Sequence, residues 1–367
     1  MQNVTTIWDM PVRLFHWALV ICVLITLYTG FLGEEWLLNW HVSAGYLIAV
    51  FMVFRLFWGF MGSRYSRFSS FKPSLSKAWV YVQNYRKGRG DPYVGHNPAG
   101  AFFVYFVIGL LVMLSLSGFI LLGGVEKQGV LAPYVSFATG LSFKVIHEAL
   151  GFALLGLILL HLLGVLVHEL KGEKLVLSMI HGQKSDVPEE KSDEGALRFL
   201  LFWCVLPVFV LLALYLFNQP FQQTLSTSRI YENECGDCHH AFHPSLLPQE
   251  SWEHIMAGLD DHFGEDATLD EGSFLVIQDY LKANNAWKWD TEAANNLRLD
   301  LFEQPARITA SPFWRYRHEA IAEEFFSHKK IESKTNCAGC HQDALVGTFY
   351  DQNINLPDVV KKGKSNE

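Results

Sequence analysis

The sequence predicts an all-α protein: a membrane four-helix bundle with a fifth, tethering transmembrane helix, then a mostly helical, loop-rich domain. Three observations predict it. Half of the 367 residues are hydrophobic, and the mean hydropathy is +0.16. Five apolar runs, near Leu14–Leu32, His41–Met61, Ala101–Gly123, Val145–His168 and Leu197–Phe217, each reach the roughly 20 residues that a membrane-crossing helix needs. Beyond Phe217 the composition turns polar and acidic, with 13 Lys and Arg against 24 Asp and Glu in residues 218–367. That net of −11 leaves +3 on the rest of a chain whose total is −8.

The first run is too long, and too far from a small-residue cleavage site, to read as a secretory signal; it reads as a retained first helix. Lys and Arg in the short loops set the orientation. The loop over residues 62–100 carries Arg64, Arg67, Lys72, Lys77, Arg86, Lys87 and Arg89, and the stretch 169–196 carries Lys171, Lys174, Lys184 and Lys191. Residues 33–40 have none, and residues 124–144 only Lys127 and Lys144. The N-terminus and both basic loops therefore face the cytoplasm of a bacterial inner membrane. Five crossings put everything after Phe217 in the periplasm. The predicted organisation is a membrane domain over 1–180, a connector and fifth helix over 181–217, and a periplasmic domain over 218–367. The fifth run holds no His, and its Pro207 removes one backbone donor and predicts a kink.

The fourth run carries His147 and His161. Fourteen residues at about 100° and 1.5 Å each return a side chain to within about 40° of the same face, about 21 Å further along. One helix face thus presents imidazole near each side of the bilayer, where ionisable groups are costly and functional by default. A lone intramembrane His can also simply hydrogen-bond a neighbouring helix; here two further histidines match in depth. His16 lies in the first turn of the first run, level with His161, and His41 opens the second run, level with His147. The simplest assembly is two bis-histidine b haems in the bundle core, His41 with His147 outside and His16 with His161 inside. Two strong ligands leave the iron no open position, which favours electron transfer. Arg55, fourteen residues after His41, has two readings: an anchor snorkelling to the interface, or a counter-ion for a haem propionate.

Cys22 and Cys204 lie in separate runs and read as packing residues. The other four cysteines form two C-x-x-C-H runs, the signature of covalent c-type haem attachment. Cys235 and Cys238, and Cys337 and Cys340, add to the haem vinyl groups, while His239 and His341 become the proximal iron ligands. Helices are expected near Glu250–Leu259, Glu271–Ala283 and Phe313–His328. Met256 is the one Met after residue 217, so at most one c haem could be His/Met. His240 and His243 lie too close to His239 to reach the far side of its haem. The acidic balance steers a basic partner or is a solvated surface. His168 is expected among the headgroups; His96 and His181 fall in polar loops and receive no role.

WDMPVRLFHW from Trp8, the His-bearing start of the second run, and the HEALG-to-LLHLLG spacing of the fourth resemble the bacterial cytochrome b561 family. That family includes the b-type subunits of nickel–iron hydrogenases and formate dehydrogenases. The resemblance covers residues 5–180 and implies two b haems on His16, His41, His147 and His161, with electron exchange with quinone. ECGDCHHAF, LLPQESWEHIMAGLDDHFGED, RITASPFWRYRHEAI and NCAGCH resemble the dihaem cytochrome c domain known as DHC, over most of residues 230–357. Its members carry two bis-histidine c haems. That resemblance implies His262 and His318 as distal ligands, with His254 and His328 as fallbacks, and leaves open which serves which haem.

The expected function is a tetrahaem wire of two haem b and two haem c that oxidises membrane quinol and reduces a soluble periplasmic acceptor. DHC-like domains imply a small c-type cytochrome in that role. One alternative runs the same wire inward, as a quinone reductase fed by a periplasmic donor such as superoxide. Another is a haem sensor or the anchor subunit of a larger oxidoreductase. Direction depends on potentials, which follow from contacts around the ligands.

Overall fold

The computed structural model describes residues 4–33, 37–89, 93–185, 196–217, 228–299 and 307–357. The chain divides into two compact units, Met1–Leu121 with Ser142–Gln219, and Leu122–Leu141 with Pro220–Glu367.

In the first unit, four helices among the described residues are long and apolar enough to cross a membrane. They are α1 (Met10–Phe31), α2 (Leu38–Met61), α4 (Pro98–Gly124) and α5 (Phe137–Leu170). At 1.5 Å per residue, the 34 residues of α5 span about 51 Å, well beyond the about 30 Å of hydrocarbon. Asp9 starts α1: its carboxylate accepts from the Val12 backbone N–H at 2.9 Å, and Pro11 occupies the first turn, where a missing donor costs nothing. The second carboxylate oxygen of Asp9 accepts from Trp58 Nε1 (3.0 Å), the Ser63 backbone N–H (3.2 Å) and Ser66 Oγ (2.8 Å). One buried carboxylate therefore ties the start of α1 to the end of α2.

The bundle core is Cys22 and Val23 of α1, Ala44, Ile48 and Met52 of α2, Leu110 and Leu111 of α4, and Leu154 of α5. The basic loop after α2 folds in part as α3 (Leu75–Arg86), which starts at a Ser74 cap. Tyr85 near its end donates to Glu173, 2.9 Å away, beyond the end of α5. His168, at that end, sits 3.0 Å from the same carboxylate. Two short strands, β1 (Val4–Thr6) and β2 (Gln183–Ser185), pair antiparallel just after α6 (Leu175–His181). Gly182 makes this return possible. Its φ is +81°, and a Cβ there would stand 2.5 Å from the Trp8 carbonyl oxygen. α7 (Ala196–Phe217) contains Pro207 and packs Phe202 on Phe54 and Trp58 of α2. Its shorter apolar stretch is Leu200–Leu216.

The second unit is built from short helices: α8 (Arg229–Cys235), α9 (Gln249–Ala257), α10 (Glu271–Asn284), α11 (Glu292–Leu297), α12 (Pro312–His318) and α13 (Glu323–Phe326). Its core gathers Tyr231, Leu246, Leu247, Trp252, Ile277, Leu281 and Leu297. Met256 belongs to this core, so its thioether is packing material. The helix expected over Phe313–His328 is two helices. The ladder stops after His318, where Ile321 N–H bonds the His318 carbonyl in a tight turn and Ala322 is extended.

The unit also takes in the connection between α4 and α5. Lys127, buried and at φ +52°, donates to the Val135 carbonyl at 2.8 Å and pairs with Asp290. The Asp290 carboxylate accepts as well from the backbone N–H of Phe137, at 3.0 Å, where α5 begins. Tyr350 donates its hydroxyl to the Lys127 carbonyl at 3.3 Å.

Candidate functional site

α2 and α5 bring His41 and His147 opposite each other, with ring centroids 6.1 Å apart and planes at 72°. His16 of α1 and His161 of α5 lie within electrostatic reach of each other, and Phe103 of α4 stacks on His161 at 5.1 Å. In the second unit His239 faces His262 at 6.4 Å, and His341 faces His318 at 6.2 Å. His240 and His254 are exposed. An imidazole–metal bond of about 2 Å, with about 1.1 Å more to the ring centre, puts two opposed rings about 6.2 Å apart. The three measured pairs stand at that spacing.

The other ring nitrogen is held in four of these residues. His41 Nδ1 lies 3.0 Å from Thr29 Oγ1, and His147 Nδ1 lies 2.9 Å from Ser117 Oγ. Thr29 donates its own proton to the Ile25 carbonyl (2.7 Å) and Ser117 to that of Leu114 (3.0 Å), so each hydroxyl accepts from the imidazole. His239 and His318 turn Nδ1 to the carbonyls of His240 and Trp314, both at 2.8 Å. An Nδ1–H so engaged assigns the tautomer and leaves the Nε2 lone pair for a metal.

The next residues complete the cradle. A Cβ at Gly30 would stand 3.1 Å from His41 Cε1, and one at Gly118 would stand 3.2 Å from His147 Cε1. Thr29-Gly30 on α1 and Ser117-Gly118 on α4 therefore form matched hydroxyl–glycine seats for the two rings. Sequence reasoning missed both; the repeated dipeptide near the ends of two apolar runs was the available signal.

Residues 7–182 match the family model for prokaryotic cytochrome b561, and residues 231–349 match that for dihaem cytochrome c. A dihaem cytochrome c of Rhodobacter sphaeroides is 37% identical; the match covers 34% of this chain and 98% of that one, with a TM-score of 0.30. The chain is a cytochrome b561 domain fused to a dihaem cytochrome c domain. For the second domain, the sequence identity carries the assignment. A dihaem cytochrome of Shewanella baltica OS155 is 30% identical over 36% of this chain and 95% of its own, with a TM-score of 0.29. The probable Ni/Fe-hydrogenase 1 B-type cytochrome subunit of Escherichia coli K12 is 28% identical over 49% of this chain and 90% of its own length. The corresponding subunit of Azotobacter vinelandii is 29% identical over 33% of this chain, which spans 60% of that relative's length. The chain thus joins a multi-pass membrane cytochrome domain of b561 type to a dihaem cytochrome c domain.

The chain's residues fit such groups. The cytochrome c domain supplies free thiols at Cys235, Cys238, Cys337 and Cys340 beside His239 and His341. A cavity of about 520 Å³ opens at His318; its wall holds Trp314 and Phe326, the acidic Glu319 and Glu323, Lys334 paired with Glu323 at 2.6 Å, and Arg307 and Arg315, whose guanidinium groups suit carboxylates. In the cytochrome b561 domain, Arg55 is 4% exposed, its guanidinium lies 4.7 Å over the Phe68 ring, and its Nη1 has no hydrogen-bond partner. Its head is inside the protein rather than at the interface.

Proposed function

We propose that the chain passes electrons from membrane quinol, through two bis-histidine b haems and two bis-histidine c haems, to a soluble periplasmic acceptor, a small c-type cytochrome. Three opposed histidine pairs, and a fourth pair, His16 and His161, within electrostatic reach of each other, support this reading. His41 with His147 and His16 with His161 hold the b haems. His239 with His262 and His341 with His318 hold the c haems, which Cys235, Cys238, Cys337 and Cys340 attach. Bound there, haem supplies one-electron transfer with no open iron position. The residues do the rest: the cradled imidazoles fix ligand geometry, Arg55 offsets propionate charge, and the tethering helix over residues 196–217 carries the acidic c domain to the periplasmic side. The acidity supports a basic acceptor by steering its approach.

The test is anaerobic rapid mixing of quinol with the oxidised full-length protein, following the b and c α-bands separately. Reduction of b followed by c at a matching rate is expected. If quinol leaves c oxidised while a reduced periplasmic donor fills c and then b, the wire runs inward and the protein is a quinone reductase. A pyridine haemochrome with unequal b and c haem would overturn the cofactor assignment.

A further inference from the structure

We propose that Arg55 and His96 form a two-donor site for a carboxylate or carbonyl oxygen, at the depth of His16 and His161 in the cytochrome b561 domain. The inference rests on the haem-and-quinol reading above and adds a residue to it, because His96 had no role on sequence grounds.

Arg55 follows His41 by fourteen residues on α2, which puts it on nearly the same face and about 21 Å further in. A buried guanidinium with an unsatisfied N–H costs several kcal/mol, so its survival points to a partner that arrives with the bound state. The carboxylate that acts on Arg55 is already used. Asp9 lies within electrostatic reach of Arg55, but its oxygens are already engaged by Val12, Trp58, Ser63 and Ser66.

His96 lies within electrostatic reach of Arg55, and Phe68 and Phe71, packed at 6.0 Å, link the two. Its ring packs 4.2 Å from Phe71 and 4.7 Å from Trp8, and its Nδ1 is buried without a hydrogen-bond partner. Burial, and then the charge of Arg55, pushes His96 down to about 3, so the ring is neutral and carries a single N–H at working pH. The walls are aromatic: Phe68 lies under the guanidinium, and Phe71 and Tyr105 pack together at 5.8 Å. Tyr105 donates its hydroxyl proton to the Phe68 carbonyl at 3.2 Å. Arg55 Nη1, and His96 Nδ1 in the tautomer that carries its proton there, are donors without a partner between aromatic walls, and together they call for an oxygen that only accepts. A haem propionate and a quinone carbonyl share that chemistry.

The experiment uses full-length holoprotein, depleted of quinone, as the parent and as His96→Phe and His96→Asn. Phe keeps the ring and removes the donor; Asn restores an N–H near the Nδ1 position. A propionate partner predicts that Phe moves the reduction equilibrium of one b haem about tenfold toward ferric, about 59 mV for one electron, and that Asn recovers most of it. A quinone partner predicts unchanged b-haem potentials and about tenfold weaker binding of decylubiquinone in the Phe variant, again recovered by Asn. If both readouts match the parent in both variants, or Asn recovers nothing that Phe loses, the site is wrong. A protein that ignored quinol altogether would sink the quinol reading, while the potentials would still decide this one.

Discussion

Replacing Thr29 by Val tests the hydroxyl–glycine cradle most directly. The substitution keeps the β-branched shape on α1 and removes the one oxygen 3.0 Å from His41 Nδ1. The Ile25 carbonyl that Thr29 bonded keeps its helical partner, so the loss falls on the imidazole. An N–H···O bond pushes electron density onto the ring and favours the more positive ferric iron. Losing it therefore raises the potential of the b haem held by His41 and His147. A neutral hydrogen bond is worth about 0.5–1.5 kcal/mol. With tenfold equal to about 1.36 kcal/mol and to about 59 mV for one electron, the shift is at most about 20–65 mV upward. Ser117→Ala removes the matching bond to His147 on the same haem, so the double variant should move that haem by about the sum and leave the other in place. Potentiometric titration of the b α-band, resolved into two components, reads it. A downward shift, or equal shifts in both components, would refute the reasoning.

Three further outcomes follow from the same geometry. Gly118→Ala should broaden or displace the low-spin signal of one b haem in electron paramagnetic resonance, since its Cβ would press His147 Cε1 from 3.2 Å. Helix propensity alone favours Ala by about 0.8–1 kcal/mol, so a variant that is simply more stable, with an unchanged spectrum, would discount the cradle. Asp9→Ala strands the donors of Trp58, Ser63 and Ser66 and should cost about 3–5 kcal/mol, read as thermal loss of the b α-band well below the parent. Retention at the parent temperature would rule out that tie.

The third concerns acid. His243 is buried against Trp289 with Ser245 on its Nδ1, and burial pushes it from 6.5 down to about 4. Its neutral form is the folded one, so its contribution is complete above about pH 6.5 and fades as pH falls toward 4. That window is worth about 3 kcal/mol, and His243→Asn, which keeps an acceptor for Ser245 but does not titrate, should flatten the acid limb of c-domain stability. An unchanged limb would put the acid sensitivity elsewhere.

Much of this was legible in the chain. Apolar length announces α1, α2, α4 and α5, and the fourteen-residue interval of His147 and His161 announces two levels, because helix geometry is local and periodic. The C-x-x-C-H runs name their own chemistry. The facing of His262 to His239 and of His318 to His341 was not legible, since it depends on how short helices with little periodicity fold back on one another. Asp9 and His96 escaped notice because each draws its meaning from residues far along the chain: Trp58 and Ser66 for one, Arg55 and Phe71 for the other. The break after His318 was hidden by residues that all tolerate a helix.

Synthesis gives the Lys127–Asp290 pair a timetable. The two residues are 163 positions apart. At about 5–20 residues per second, Lys127 leaves the ribosome roughly 8–33 s before its carboxylate exists. Through that interval the stretch between α4 and α5 has neither its counter-charge nor the acceptor for the first N–H of α5. Any chain that ends before Asp290, by a stop codon or by cleavage, leaves this segment permanently unmatched. A c domain excised at residue 218 would lack the same segment from the other side. Residues 122–141 therefore belong with the c domain in any division of this protein.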